Sequence, residues 1–202
     1  MSDLYNQSFT PNCIFAYIVT EQTNYHMKYI LALLVIVPQL SFAQLTKQDS
    51  LWLPFKHFIG TWTGTGEGVD GKGTYERSCQ FVLNKKYIEL KNKTVYPPTK
   101  ENPKGYIHED FGYISYDKMR KTFVFRQFHG EGFVNQYIIE TISPDGKKIV
   151  FVTESIENIP KGWRCRETYI LNETNELSEV FDMAEPNKDF ELYTKASFRR
   201  LK

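Results

Sequence analysis

Residues 58–83 read FIGTWTGTGEGVDGKGTYERSCQFVL, and this stretch decides how the rest of the chain is read. Two runs rich in Thr, Tyr, Phe and Val flank Asp70-Gly71-Lys72-Gly73, the composition of a tight reversal between two strands. The same unit recurs along the chain. Strands are expected at 58–67, 73–83, 87–96, 107–117, 122–129, 133–142, 148–157, 163–171, 176–184 and 190–201. Between them lie turn formers such as Gly130-Glu131-Gly132, Ser143-Pro144-Asp145-Gly146 and Pro186-Asn187. About ten antiparallel strands on short connections predict an all-β, up-and-down meander. Closing it into a barrel removes the two edges an open sheet would expose. Before the first strand, Leu51 to Phe58 reads as a helical turn or two. The one long connection, Tyr96 to Ile107, carries Pro97, Pro98 and Pro103 and is expected to form a flap at one mouth.

Composition agrees with this reading and excludes several functions. Aromatic residues make up 15% of the 202 positions, an enrichment that suits strands. Lysine plus arginine against aspartate plus glutamate is 25 − 24 = +1, so the chain has no basic excess for binding nucleic acid. It carries no Gly-rich phosphate loop, no Gly-x-Ser-x-Gly elbow and no His-Glu-x-x-His.

The first 43 residues read as a matter of processing. Tyr29 to Val37 is an apolar run of about half the length needed to span a bilayer, preceded by Met27-Lys28. Ser41 and Ala43 then provide a small-x-small cleavage site, so residues 27–43 are expected to be a secretory signal cut between Ala43 and Gln44. The mature chain then has no integral membrane segment. Residues 1–26, with Asp3 and Glu21 and no basic start of their own, read as an extension upstream of the true start. Export would permit a disulfide between Cys79 and Cys165. In a ten-strand meander, however, they lie four strands apart at about 4.8 Å per step, too far to bridge.

Candidate chemistry is sparse. Of His57, His108 and His129, His108 stands out because His108-Glu109-Asp110-Phe111-Gly112-Tyr113 clusters a base, two acids and aromatics beside the proline-rich loop. Phe123, Phe125, Tyr137, Tyr169 and Phe181 either pack a core or line a cavity. A ten-strand barrel encloses more space than an eight-strand one, which side chains just fill.

Gly60-Thr61-Trp62 resembles the Gly-x-Trp of the lipocalin and fatty-acid-binding-protein superfamily, in which a basic residue of the last strand packs over the Trp. Arg199 or Arg200 is placed for that role. More specifically, Phe58 to Gly68 resembles the first strand of nitrobindin-type haem-binding barrels, and His108 to Tyr113 is similar to their His-x-Glu-x-Gly-Tyr/Phe segment. The resemblance spans Leu51 to Leu201. It implies a barrel that binds ferric haem and, through it, nitric oxide or peroxynitrite, with peroxynitrite isomerisation as the associated activity. The family's proximal His on the last strand is replaced here by Tyr193, in Tyr193-Thr194-Lys195-Ala196-Ser197-Phe198. Tyrosinate can ligate ferric haem. Tyr193 and His108 are therefore the alternative iron ligands.

The expected ligand site comprises Trp62, Gly64, Gly66, His108, Tyr113, Tyr137, Tyr193 and Arg199, holding a small hydrophobic molecule. Strand alternation puts Gly64 and Gly66 on the same face as Trp62, with no side chain to fill the space there. A void beside Gly64 of about 300 Å³ or more, lined by some of His108, Tyr137 and Tyr193, is expected. Competing readings are a carrier of lipid or another small hydrophobe without haem, and a surface interaction module that binds no ligand.

Overall fold

A computed structural model describes residues 47–100 and 102–201, so the signal and the upstream extension expected from the sequence lie outside the described residues. A short helix α1 (Lys47–Leu51) and a 3-10 turn (Leu53–Phe55) precede ten strands. These are β1 (Gly60–Gly68), β2 (Gly71–Val82), β3 (Tyr87–Tyr96), β4 (Tyr106–Asp117) and β5 (Thr122–His129). The second half comprises β6 (Val134–Ile142), β7 (Lys148–Glu157), β8 (Arg164–Glu173), β9 (Glu176–Ala184) and β10 (Glu191–Arg200). Each strand pairs antiparallel with the next, and β1 pairs with β10, which closes the barrel. The expected all-β barrel is the observed one.

Alternation builds the interior. Along β2, Gly73, Tyr75, Arg77 and Cys79 are buried while Thr74, Glu76 and Gln80 are exposed. The antiparallel order sends the odd-numbered turns to one end and the even-numbered turns to the other. Trp52 and Phe55 plug the end reached by the β4–β5 turn, where they meet Phe123 at ring-centroid distances of 5.2 and 4.7 Å. Pro54 also lies against Gly146 of the β6–β7 turn. Nothing comparable covers the other end among the described residues. That open end is ringed by Val69-Asp70, residues 97–100 and 102–105 of the β3–β4 connection, Gly130–Phe133, Asn158–Trp163 and Glu185–Phe190.

Below the barrel's middle the interior is full. Phe125 stacks on Tyr137 at 5.4 Å, and Phe151 packs against Phe55, Phe125 and Tyr169. The space left among Phe55, Phe58, Cys79, Ile114 and Leu177 is about 20 Å³, enough for one water. Cys79 and Cys165 are free and buried, on strands four steps apart in the closed order. Burial pushes both thiols up to about 12, which leaves them inert.

Candidate functional site

Trp62 sits at the closed end. Its indole N–H donates to the Phe58 carbonyl at 3.0 Å, and the guanidinium above its ring, at 4.1 Å, is that of Arg200. Arg200 also donates to the carbonyls of Ile59 and His57, tying the last strand to the entry of the first. Arg199 points outward, 82% exposed, and pairs with Glu176. The neighbouring strand β10 takes the space expected beside Gly64. A Cβ there would lie 2.1 Å from the Ser197 carbonyl oxygen and 2.9 Å from Phe198 Cα. At Gly66 a Cβ would meet Ala196, Lys195 and Tyr75, each at 2.8 Å. Both glycines let the β1 and β10 backbones close the barrel, and neither makes room for a guest. Tyr113 likewise faces outward, its hydroxyl donating to Glu89 at 3.0 Å.

The polar interior begins at the mid-plane. Arg77 crosses it, donating to Asn92 and to Glu179, both at 2.6 Å, with its guanidinium 5.1 Å from the Tyr169 ring and 4.8 Å from that of Phe198. Burial opposes its charge, but Glu179 foremost, together with Tyr169 and Glu167, outweighs that and holds Arg77 firmly protonated. Glu167 lies beside Glu179. Burial first, and then the charge of Glu179, pushes the Glu167 carboxyl well above the usual range. Two carboxyl groups and one guanidinium thus share the floor of the open half.

From that floor a chain of hydrogen bonds climbs to the mouth. Asn92 donates to Asp110 at 2.7 Å, and Gln127 donates to the same oxygen at 2.8 Å. The other Asp110 oxygen is 3.3 Å from His108 Nε2, while His108 Nδ1 is 2.8 Å from Glu131. Burial works to raise the Asp110 carboxyl, yet its bonds to His108 and Gln127 hold it below the usual range. His129 stacks on Phe133 at 4.1 Å, 5.7 Å from the His108 ring, with Nε2 3.2 Å from the Asn135 amide. The same amide donates to the Tyr137 hydroxyl at 2.8 Å. Burial lowers His129 to about 4, so its imidazole is neutral at physiological pH.

Tyr193 reaches this end by a β-bulge. The register between β10 and β9 shifts between Leu192 and Thr194, so parity with Arg199 does not set the direction of Tyr193. Its ring lies 5.6 Å from Phe181, and its hydroxyl donates to Asp70 at 3.1 Å. Burial and then Asp70 push that hydroxyl up to about 12, which argues against a tyrosinate at neutral pH. Of the sequence candidates, the fold gathers His108 and Tyr193 at the open half, and the Tyr137 hydroxyl reaches up to it from the packed half through Asn135. Gly66 lies against Tyr75 and Ala196 in the wall, while Trp62, Gly64, Tyr113 and Arg199 lie elsewhere.

The open half was under-read from sequence. Arg77, Gln127, His129 and Asn135 carry no motif, and their signal is polar residues at inward positions of otherwise apolar strands. Asp110 belongs to the His108–Tyr113 segment, and Glu131 sits on an exposed turn with no signal of its own. Buried atoms with no hydrogen-bond partner include Arg77 Nη1, Gln127 Oε1, His129 Nδ1, Asn135 Oδ1, Glu167 Oε2 and the Tyr169 hydroxyl. Buried polar atoms are nearly always paired, so this concentration marks the interior as a place for polar contacts with a guest or with water. Grooves of about 760 and 840 Å³ lie on the outer wall instead, the first along Thr63, Lys91, Lys93 and Phe111 and the second along Thr65, Glu67, Lys72 and Thr74.

Residues 52–200 match the family model for the THAP4-like, heme-binding beta-barrel domain. The chain belongs to the THAP4-like haem-binding barrel family. Solved structures resemble it in fold alone. Rv2717c from M. tuberculosis is 17% identical, with a TM-score of 0.59, covering 75% of this chain and 98% of its own. A de novo designed fluorescence-activating β-barrel is 15% identical at a TM-score of 0.38, covering 72% of this chain and 95% of its own. The S-type phycobiliprotein lyase CPES of Guillardia theta is 10% identical at 0.47, covering 73% and 90%. No curated protein matches significantly. For a haem-binding barrel of this family, the residues of the open half fit the group: an unpartnered ring nitrogen on a neutral His129, and the aromatic rings of Tyr75, Tyr96, Phe181 and Tyr193.

Proposed function

We propose that this barrel is an exported haem-binding protein that takes the porphyrin into its open half, with His129 as the ligand to iron. The observation that carries the reading is the family match over residues 52–200 together with the buried, unpartnered Nδ1 of His129. Of the three possible ligands, Tyr193 is tied to Asp70, and both ring nitrogens of His108 face carboxylates. The resulting assignment moves the ligand from the last strand, where the family resemblance had placed it, to β5. Bound haem would supply a ferric centre able to meet nitric oxide or peroxynitrite. The chain's own residues orient His129 through Asn135 and Phe133 and provide Arg77 as a buried cation below.

Titrating the full chain with haemin is expected to give a saturable Soret band distinct from that of free haemin. His129→Ala is expected to shift that band and weaken uptake at least tenfold, while Tyr193→Phe leaves both at wild-type values. A wild-type titration that matches free haemin rejects the reading. Export is supported by the apolar run Tyr29 to Val37 and by Ser41 and Ala43. N-terminal sequencing of the protein made by a secreting host is expected to begin at Gln44; a start at Met1 or Met27 rejects export by this signal.

A further inference from the structure

We propose that His108, His129 and Glu131 form a binding site for a divalent transition-metal ion, zinc by its donor chemistry, at the mouth of the barrel. Each residue offers one ligand atom, and the three atoms lie within 4.8 Å of one another. Donors on bonds of about 2.1 Å around one tetrahedral ion sit about 3.4 Å apart, so modest side-chain movement closes the set. Two imidazoles and one carboxylate match zinc and related ions; magnesium and calcium prefer sites built from oxygen alone.

The surroundings of the trio support the same reading. His108 Nε2 faces Asp110 at 3.3 Å, so Nδ1 is the nitrogen turned toward Glu131 and the ion. That reproduces the carboxylate–histidine–metal arrangement, in which the outer carboxylate orients the ring and raises its basicity. Asp110 is itself fixed by Asn92 and Gln127, and His129 by Asn135 and Phe133. Glu131 comes from the short β5–β6 turn, held by Gly130 N–H donating to the Glu109 carbonyl at 2.9 Å. The three donors therefore sit on two adjacent strands and a turn anchored to them.

The ion takes the position between His108 Nδ1 and Glu131 that their 2.8 Å contact now closes, and any proton on that nitrogen leaves to solvent. Three protein ligands leave a fourth position for water or a small anion, as in open zinc sites. The site does not depend on haem, and an ion bound to His129 excludes iron from the same ring.

Isothermal titration of the metal-free full chain with zinc chloride tests the site. One equivalent is expected to bind, with proton release visible as a dependence of the heat on the buffer's ionisation enthalpy. Glu131→Gln, a change on an exposed turn, is expected to weaken zinc by at least tenfold, and so is His108→Ala. Asp110→Asn is expected to weaken it by about tenfold through the orientation of His108. Circular dichroism of each variant separates lost ligation from lost fold. Failure of the wild-type chain to take up zinc saturably overturns the proposal. So does undiminished uptake by a folded His108→Ala/Glu131→Gln double variant. Haemin uptake by Glu131→Gln, which keeps His129, is measured alongside and reports on the haem reading alone.

Discussion

The paired change Glu167→Gln and Glu179→Gln is expected to cost about 3–5 kcal/mol of unfolding free energy, whereas Glu167→Gln alone costs little at pH 7. Arg77 is 5% exposed in the middle of the barrel, and its ion pair with Glu179 is 2.6 Å long. Burial and then the charge of Glu179 push the Glu167 carboxyl well above the usual range, toward its neutral acid, and a glutamine is the neutral amide closest to that form. Glu179→Gln by itself has a partial remedy. Without the neighbouring charge, Glu167 can ionise and take over the pairing with Arg77. Removing both carboxyl groups leaves a buried guanidinium without that compensation, and the loss should exceed the sum of the single changes. Urea denaturation of the four chains measures it; additive single effects would refute the shared-charge account.

The same pair sets a pH dependence. A carboxyl whose folded value lies above its unfolded value of 4.5 binds its proton more tightly in the fold. That contribution is fully present below pH 4.5 and is lost as pH rises through the folded value. As pH rises above 4.5, stability of the unmodified chain should therefore decline more steeply than that of Glu167→Gln.

Gly64→Val is expected to destabilise the barrel by about 3 kcal/mol or more, the upper end of what overpacking costs. The new Cβ would fall 2.1 Å from the Ser197 carbonyl oxygen and 2.9 Å from Phe198 Cα, both backbone atoms of β10. A flexible side chain could swing away, but a paired backbone cannot. The β1–β10 ladder, which joins Gly64 to Phe198, would have to part at the strand pair that closes the sheet. Thr65→Val, at an exposed position on the same strand, serves as the control and should be near neutral. Wild-type midpoints for both variants in chemical denaturation would show that the seam tolerates the added volume. The void that the sequence suggested beside Gly64 would have let a bulky residue spare the fold; the close approach of β10 makes the fold itself the thing such a residue disturbs.

The amino-acid sequence by itself determined the strands, their turns and their closure. Alternation along Tyr75, Arg77 and Cys79, and reversals such as Asp70-Gly71, depend on residues within a few positions of one another, so they can be read locally. The separation of Cys79 from Cys165 followed from strand order alone. The site did not. Arg77 meets Glu179 across 102 positions, and Tyr193 meets Asp70 across 123, through the stagger of a closed sheet that no local pattern encodes. A single bulge at Tyr193 separates its direction from that of Arg199, although the two share the same parity in the sequence. His129 and Glu131 read as a strand end and a turn in the sequence; the β4–β5 register, which sets His129 opposite Asp110, places both beside His108. Period-two patterning says which side of a strand a residue faces. Only the barrel's stagger and bulges decide which residues it faces there.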